Sequence, residues 1–154
     1  SNVGAVALDN IFVPDGASCT LNRTRANGSI VVGTGATLVA SSVSINGNLQ
    51  AEGARAVSVL GYSTFGGSVQ IVQGSGATIE RARIKGDILF DENTGPLSAS
   101  GNTVGGNVQA FKNFGGVTLR NNRIGGNLQC KENIPAPTGG GNQASSKEDQ
   151  CERL

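Results

Sequence analysis

Short runs of alternating apolar and polar residues fill most of the chain, the two-residue rhythm of strands with one buried face. The runs are themselves periodic. A unit of Gly, small polar residue and aliphatic recurs at Gly28-Ser29-Ile30, Gly47-Asn48-Leu49, Gly67-Ser68-Val69, Gly86-Asp87-Ile88, Gly106-Asn107-Val108 and Gly126-Asn127-Leu128. Successive glycines are 19, 20, 19, 20 and 20 residues apart. Two residues before each stand Ala26, Ile45, Phe65, Ile84, Val104 and Ile124. Two after come Ile30, Leu49, Val69, Ile88, Val108 and Leu128, and four after come Val32, Ala51, Ile71, Phe90, Ala110 and Cys130. Between these aliphatic columns runs a polar one of Gln50, Gln70, Gln109 and Gln129, broken by Val31 and Leu89. A third strand is expected midway between the glycines, at Cys19-Thr20-Leu21, Ala36-Thr37-Leu38, Val57-Ser58-Val59, Ala77-Thr78-Ile79, Leu97-Ser98-Ala99 and Val117-Thr118-Leu119.

Three short strands per 19–20 residues, joined by Gly- and Asn-rich corners, describe one coil of an all-β, single-stranded parallel β-helix, or β-solenoid. One coil cannot bury its own apolar residues, but stacking coils at the ~4.8 Å interstrand spacing sets like over like and builds a continuous core. About 6–7 coils are expected. A β-sandwich would not keep its core positions in register over six copies. A left-handed hexapeptide helix needs an apolar residue every six positions, so a right-handed coil is the expectation. The repeat glycines are read as corners that need either positive φ or close backbone approach. Asn102 and Asn122 are read as corner residues able to stack amide on amide. The domain is expected over 1–133, with residues 1–17 as an N-terminal cap and 134–154 as a C-terminal capping tail. The repeat stops after Cys130, and Asp91-Glu92-Asn93-Thr94-Gly95-Pro96 reads as a loop bulging from a corner.

Composition narrows the function. Gly is 24 of 154 residues and Asn 15, while His, Trp and Met are absent. Without His there is no Ser-His-Asp or Cys-His nucleophile and no His-ligated zinc. Twelve Lys+Arg against eleven Asp+Glu, with few aromatics, lack the footprint of a nucleic-acid binder, so no nucleic-acid partner is expected. No run approaches the ~20 apolar residues of a membrane-spanning helix, so no transmembrane segment is expected.

The Gly-Asn-[Leu/Val]-Gln repeats, the opening Val13-Pro14-Asp15-Gly16-Ala17-Ser18-Cys19-Thr20-Leu21 and the closing Gly126-Asn127-Leu128-Gln129-Cys130 through Cys151 resemble a group of small secreted bacterial parallel β-helix proteins of uncharacterised function. More loosely, the Gly-rich coils are similar to bactofilins and to adhesin solenoids. The resemblance implies an architecture and an extracytoplasmic setting, and no catalytic motif to map.

The repeat also places the cysteines. Cys130 is inward on the last coil and Cys151 lies in the tail that must fold back over it, so a disulfide between them is expected. Closing a loop of ~20 residues this way is worth about 3 kcal/mol in the chain-entropy model. It also favours an oxidising compartment. Cys19 falls in an inward column and is expected as a buried small hydrophobe, at least five coils and ~24 Å from Cys130.

Candidate chemistry on the surface is sparse. Arg81, Arg83 and Lys85 alternate on one outward face near Asp87, Asp91 and Glu92. Arg123 is two coils further along the Arg83 column, and Arg25 shares that column at the other end. These are the candidate surface-site residues, and their plain alternative is a solvated rim diluted by Thr64 and Thr103. Thr20, Thr37, Ser58, Thr78, Ser98 and Thr118 read as an outward hydroxyl ladder, explained by strand propensity and cross-coil bonding. No catalytic residue, cofactor site or metal site is expected. The reading is a non-enzymatic secreted or cell-surface module, structural or adhesin-like, whose protein or glycan partner meets a flat face, monomeric or a small homo-oligomer. The alternatives are a bactofilin-like polymer-forming scaffold and a carbohydrate-active enzyme of the polysaccharide-lyase kind.

Overall fold

The computed structural model describes residues 1–154. Twenty-three strands and no helix form three parallel sheets that wind as a β-solenoid of about seven turns, three strands to a coil. The middle coil shows the plan: Ala56–Leu60 lies in the first sheet, Thr64–Phe65 in the second and Val69–Val72 in the third. Each strand pairs in parallel with its counterpart one coil before and one coil after, as Phe65 does with Ile45 and Ile84. The three aliphatic columns read from the repeat run in register through the stack, and 36 buried residues form one continuous cluster between the sheets. Alternation explains the burial: in Ala56–Leu60, Val57 and Val59 are buried and their neighbours face outward.

The repeat glycines owe their place to close approach alone, since none of the six has positive φ. A Cβ on Gly67 would run into the Asn48 side-chain oxygen of the preceding coil, and one on Gly86 into the Ser68 hydroxyl. Those oxygens are held there because they accept the next coil's main-chain N–H. Asn10, Ser29, Asn48, Ser68, Asp87 and Asn107 each accept from the residue after the following coil's glycine, at 2.7–3.0 Å. The unit Gly-[Asn/Ser/Asp] is therefore one device: a small side-chain acceptor and the bare Cα that lets it in.

Positive φ falls elsewhere. After the first coil, the residue closing each first-sheet strand (Arg23, Ser42, Gly61, Arg81, Gly101, Asn121 and Gly141) has φ between 51° and 71°. Behind it lies a buried column that ends in Asn102, Asn122 and Asn142. Asn102 donates from Nδ2 to Asn122 Oδ1 at 3.0 Å, and Asn122 likewise to Asn142 at 2.9 Å. A second ladder of Asn93, Asn113 and Asn133 fills the corner after the third sheet. Asn93 is thus part of a regular, buried corner, and the segment 91–96 is no protruding loop. The sequence there looks loop-like because Gly95 and Pro96 follow the amide that holds the turn.

Two column assignments need correction. Thr37 pairs with Ser18 and Ala56, and Val39 occupies the place expected for it in the hydroxyl ladder. Cys19 pairs with Leu38, not Ala36, and is only partly buried, because the first coil's strand begins opposite Thr20. Both errors are shifts of two residues, which leave the inward and outward faces unchanged.

The ends differ. Asn2–Val3, Ala7–Leu8 and Ile11–Val13 supply one strand to each sheet and form the first coil. Beyond Cys130 the aliphatic columns lapse, but the asparagine ladders reach Asn133 and Asn142 and the main chain keeps winding. Thr138–Gly140 pairs with the first sheet, Gln143 bridges to Arg123 in the second, and Ser146–Asp149 pairs with the third. Backbone ladders need no side-chain repeat, so the coil continues where the aliphatic pattern fails. The final turn, 150–154, crosses the end of the core. A disulfide joins Cys151, fully buried, to Cys130 with a Cα–Cα separation of 5.4 Å. No helix is long and apolar enough to cross a membrane.

Candidate functional site

The interior offers no reaction chamber. Its buried polar side chains (Thr24, Ser63 and six asparagines) are all hydrogen-bonded between coils, and no buried side-chain nitrogen or oxygen lacks a partner. Chemistry with a partner must use the outer faces.

On the second sheet, Arg25, Ser44, Thr64, Arg83, Thr103 and Arg123 form one outward column in unbroken register. At ~4.8 Å per coil, Arg83 and Arg123 stand ~9.6 Å apart along the axis. Lys85 lies two residues beyond Arg83 in the same coil, and Arg81 two before it, so three cations cross coil five as a row. All are exposed. Arg83, Lys85 and Arg123 form no ion pair, and Arg81 has only a loose one, with its Nη2 4.0 Å from Glu80 Oε2.

The acidic residues expected near this row are directed elsewhere. Asp87 uses its carboxylate in the ladder, accepting from Asn107 N at 2.7 Å. Asp91 belongs to the third sheet, stacked between Val72 and Phe111. Burial there raises its pKa, the neighbouring Glu92 carboxylate adds to the rise, and Lys112 opposes it. No group of three or more Cys, Asp or Glu is disposed to hold a metal ion.

A residue absent from the sequence expectations completes the row. Most coils place two residues between the first- and second-sheet strands, such as Ser42-Val43 or Arg81-Ala82, whereas coil four, like the N-terminal coil with Gly4-Ala5-Val6, places three, Gly61-Tyr62-Ser63. The extra residue is Tyr62, the chain's only tyrosine, held at φ 63° and 74% exposed. Left-handed backbone is unusual for a bulky side chain. Ser63 pins the corner, accepting from Val43 N at 3.0 Å and donating to Leu60 O at 2.8 Å. The Arg81 guanidinium lies 5.6 Å from the Tyr62 ring centre. Tyr62, Arg81 and Arg83 border a shallow depression of about 340 Å³ with Thr64, Gly101 and Thr103. Arg83 also walls a smaller hollow, of about 130 Å³, shared with Lys85. The available signal was the 20-residue step from Gly47 to Gly67 after a step of 19.

The third-sheet face carries a larger depression, of about 430 Å³, bordered by Val31, Gln50, Gln70 and Val72 and with no cation in its lining. The Gln column is in register, but its amides join side chain to side chain only at Gln109–Gln129, 2.8 Å, with a longer contact on to Glu148. Compared with known proteins, the chain matches no family model, no curated relative and no solved structure.

Proposed function

We propose that this chain is an extracytoplasmic β-solenoid, secreted or held at a bacterial cell surface, that works as an adhesin-like binding module and carries out no chemistry of its own. The observation that carries this reading is the allocation of polar groups. Those inside are used up in coil-to-coil ladders, while the outer faces present exposed side chains on a rigid ~4.8 Å repeat. Such a surface suits recognition of an extended partner, as solenoid faces generally do. The Cys130–Cys151 bond supports an oxidising compartment. The test is to incubate the protein with uronate-containing and sulfated polysaccharides and follow chain length and unsaturated product. Intact polymer is expected, and depolymerisation would overturn the reading in favour of the lyase-like alternative.

A second reading, polymerisation of the bactofilin kind, is favoured by one observation. Val3 and Leu8 of the first coil are only partly buried, and its strands have one unpaired edge. A filament needs two complementary ends, however, and the other is crossed by the disulfide-held turn 150–154. Light scattering over a concentration series should therefore return a monomer or small oligomer. Mass that grows without limit would establish the polymer instead.

A further inference from the structure

We propose that the Tyr62–Arg81–Arg83 depression is a binding site for an acidic polysaccharide, with the Tyr62 ring packing on a sugar face and the two guanidinium groups holding its carboxylate or sulfate. This inference rests on the binding-module reading and assigns it a site and a ligand class.

Four features converge. The ring is the only tyrosine, and one additional corner residue lifts it clear of the solenoid. Its backbone is held left-handed by a corner bonded on both sides through Ser42, which donates to Gly61 O at 2.7 Å, and Ser63. Arg83 has no carboxylate partner, and the Arg81 pair is long and exposed, so both retain donors for an anion. Thr64 and Thr103 flank Arg83 in the same column and bring hydroxyls to the floor of the depression. Gly101 keeps the next coil's corner bare beside Arg81, where a longer side chain would narrow the opening.

Each element matches one part of the ligand. An exposed aromatic face packs on the C–H face of a pyranose, hydroxyls exchange hydrogen bonds with sugar hydroxyls, and forked guanidinium groups match planar or tetrahedral oxyanions. A polymer is favoured over a single sugar because the cations continue. Lys85 lies across the coil, and Arg123 is ~9.6 Å along the axis in the Arg83 column. A nucleic acid would fit the cations, but the face offers one aromatic ring and no run of them on which successive bases could stack.

The chain has one tyrosine and no tryptophan, so its tyrosine emission reports on this depression alone. The experiment titrates the intact protein with polygalacturonate, with heparin, with neutral dextran and with single-stranded DNA at matched ionic strength. Tyrosine emission and calorimetry are recorded together. Saturable emission change with polygalacturonate or heparin, none with dextran, and at least ten-fold weaker binding by Arg83→Ala and Arg81→Ala are expected. Which of the two polymers binds separates uronate from sulfate recognition. Tyr62→Ala, followed by calorimetry, should weaken binding by a similar factor, and Arg123→Ala by about two- to five-fold on long polymer only. The substituted side chains are exposed, and unchanged melting of each variant establishes that its fold is retained. Absence of binding to either acidic polymer, binding unaffected by the arginine variants, or equal affinity for single-stranded DNA would each overturn the assignment. Cleavage of a bound polymer would leave the site standing and refute the non-enzymatic reading, so the two failures are distinguishable.

Discussion

Removing the Asn122 side chain should be among the most damaging single truncations in this chain. Its amide makes four buried hydrogen bonds. Oδ1 accepts from Asn102 N and Asn102 Nδ2, both at 3.0 Å, and Nδ2 donates to Ala99 O and Asn142 Oδ1, both at 2.9 Å. In Asn122→Ala two of the four partners keep another bond. Asn102 Nδ2 still reaches Ile79 O at 2.9 Å, and Asn142 Oδ1 still accepts from the main chain of residue 122 at 3.0 Å. The Asn102 main-chain N–H is left with no acceptor, and Ala99 O loses its side-chain donor. At about 1–3 kcal/mol for a stranded buried group, the sum is about 2–4 kcal/mol. A loss of about 3 kcal/mol corresponds to a fall in Tm of about 6–12 °C for a chain of this length. Urea unfolding by circular dichroism gives the energy, and hydrogen exchange gives its location. The Asn102 amide should change from protected to fast-exchanging, with coils two to four unaffected, because coils contact only their neighbours. Asn122→Ser should lose less, since Ser63 already accepts from a main-chain N–H at the equivalent corner. Asn122→Asp offers a charge control. Its carboxylate would face two acceptors, so the variant should be least stable at neutral pH and recover as acid restores a donor. A loss below about 1 kcal/mol in Asn122→Ala, or an Asn102 amide still protected, would refute the idea that the ladder holds the corner.

Three further outcomes follow from the same geometry. A Cβ at Gly106 would strike Asp87 Oδ1 and lie 3.0 Å from Gly86 O, breaking the Asn107–Asp87 bond. Gly106→Ala should therefore cost about 2–3 kcal/mol, against about 1–2 kcal/mol for Gly101→Ala, where left-handed strain is the main penalty; equal melting of the two would contradict this. Burial and Glu92 raise the Asp91 pKa above 3.8, so the folded chain keeps that proton to higher pH than the unfolded chain. Its contribution to stability falls as pH rises through that window, and Asp91→Asn should flatten the profile and raise Tm at pH 7; a steeper profile in the variant would contradict the sign. Reducing the Cys130–Cys151 bond should lower stability by about 3 kcal/mol and speed exchange in the last coil only; unchanged melting after reduction, checked by mass spectrometry, would remove the bond's role.

What could be read from the sequence, and what could not, follows from the physics of a repeat. Aliphatic columns such as Ile45-Phe65-Ile84 were legible because burial demands the same class of residue at every coil. The outward Thr37 was misplaced because outward positions carry no such demand, and a slip of two preserves the alternation. Asn93, Asn113 and Asn133 lie 20 residues apart, yet neighbouring Gly and Pro made their corner look irregular. The cationic row was visible as Arg81, Arg83 and Lys85. Tyr62 was not, because an inserted residue belongs to no column and can be located only once the strands on either side of it are paired.

The covalent link at the end of the solenoid has a mechanical consequence. A coil of 20 residues contributes ~4.8 Å to the length of the rod but roughly 66–72 Å when drawn out straight. Tension between the chain's two ends would unwind it one turn at a time, each release lengthening the molecule more than tenfold over that turn. The loop from Cys130 to Cys151 is exempt, because force passes through the sulfur bridge and bypasses the chain between. The last coil is thus a stop that stays shut under load, and any unravelling must proceed through the coils before it.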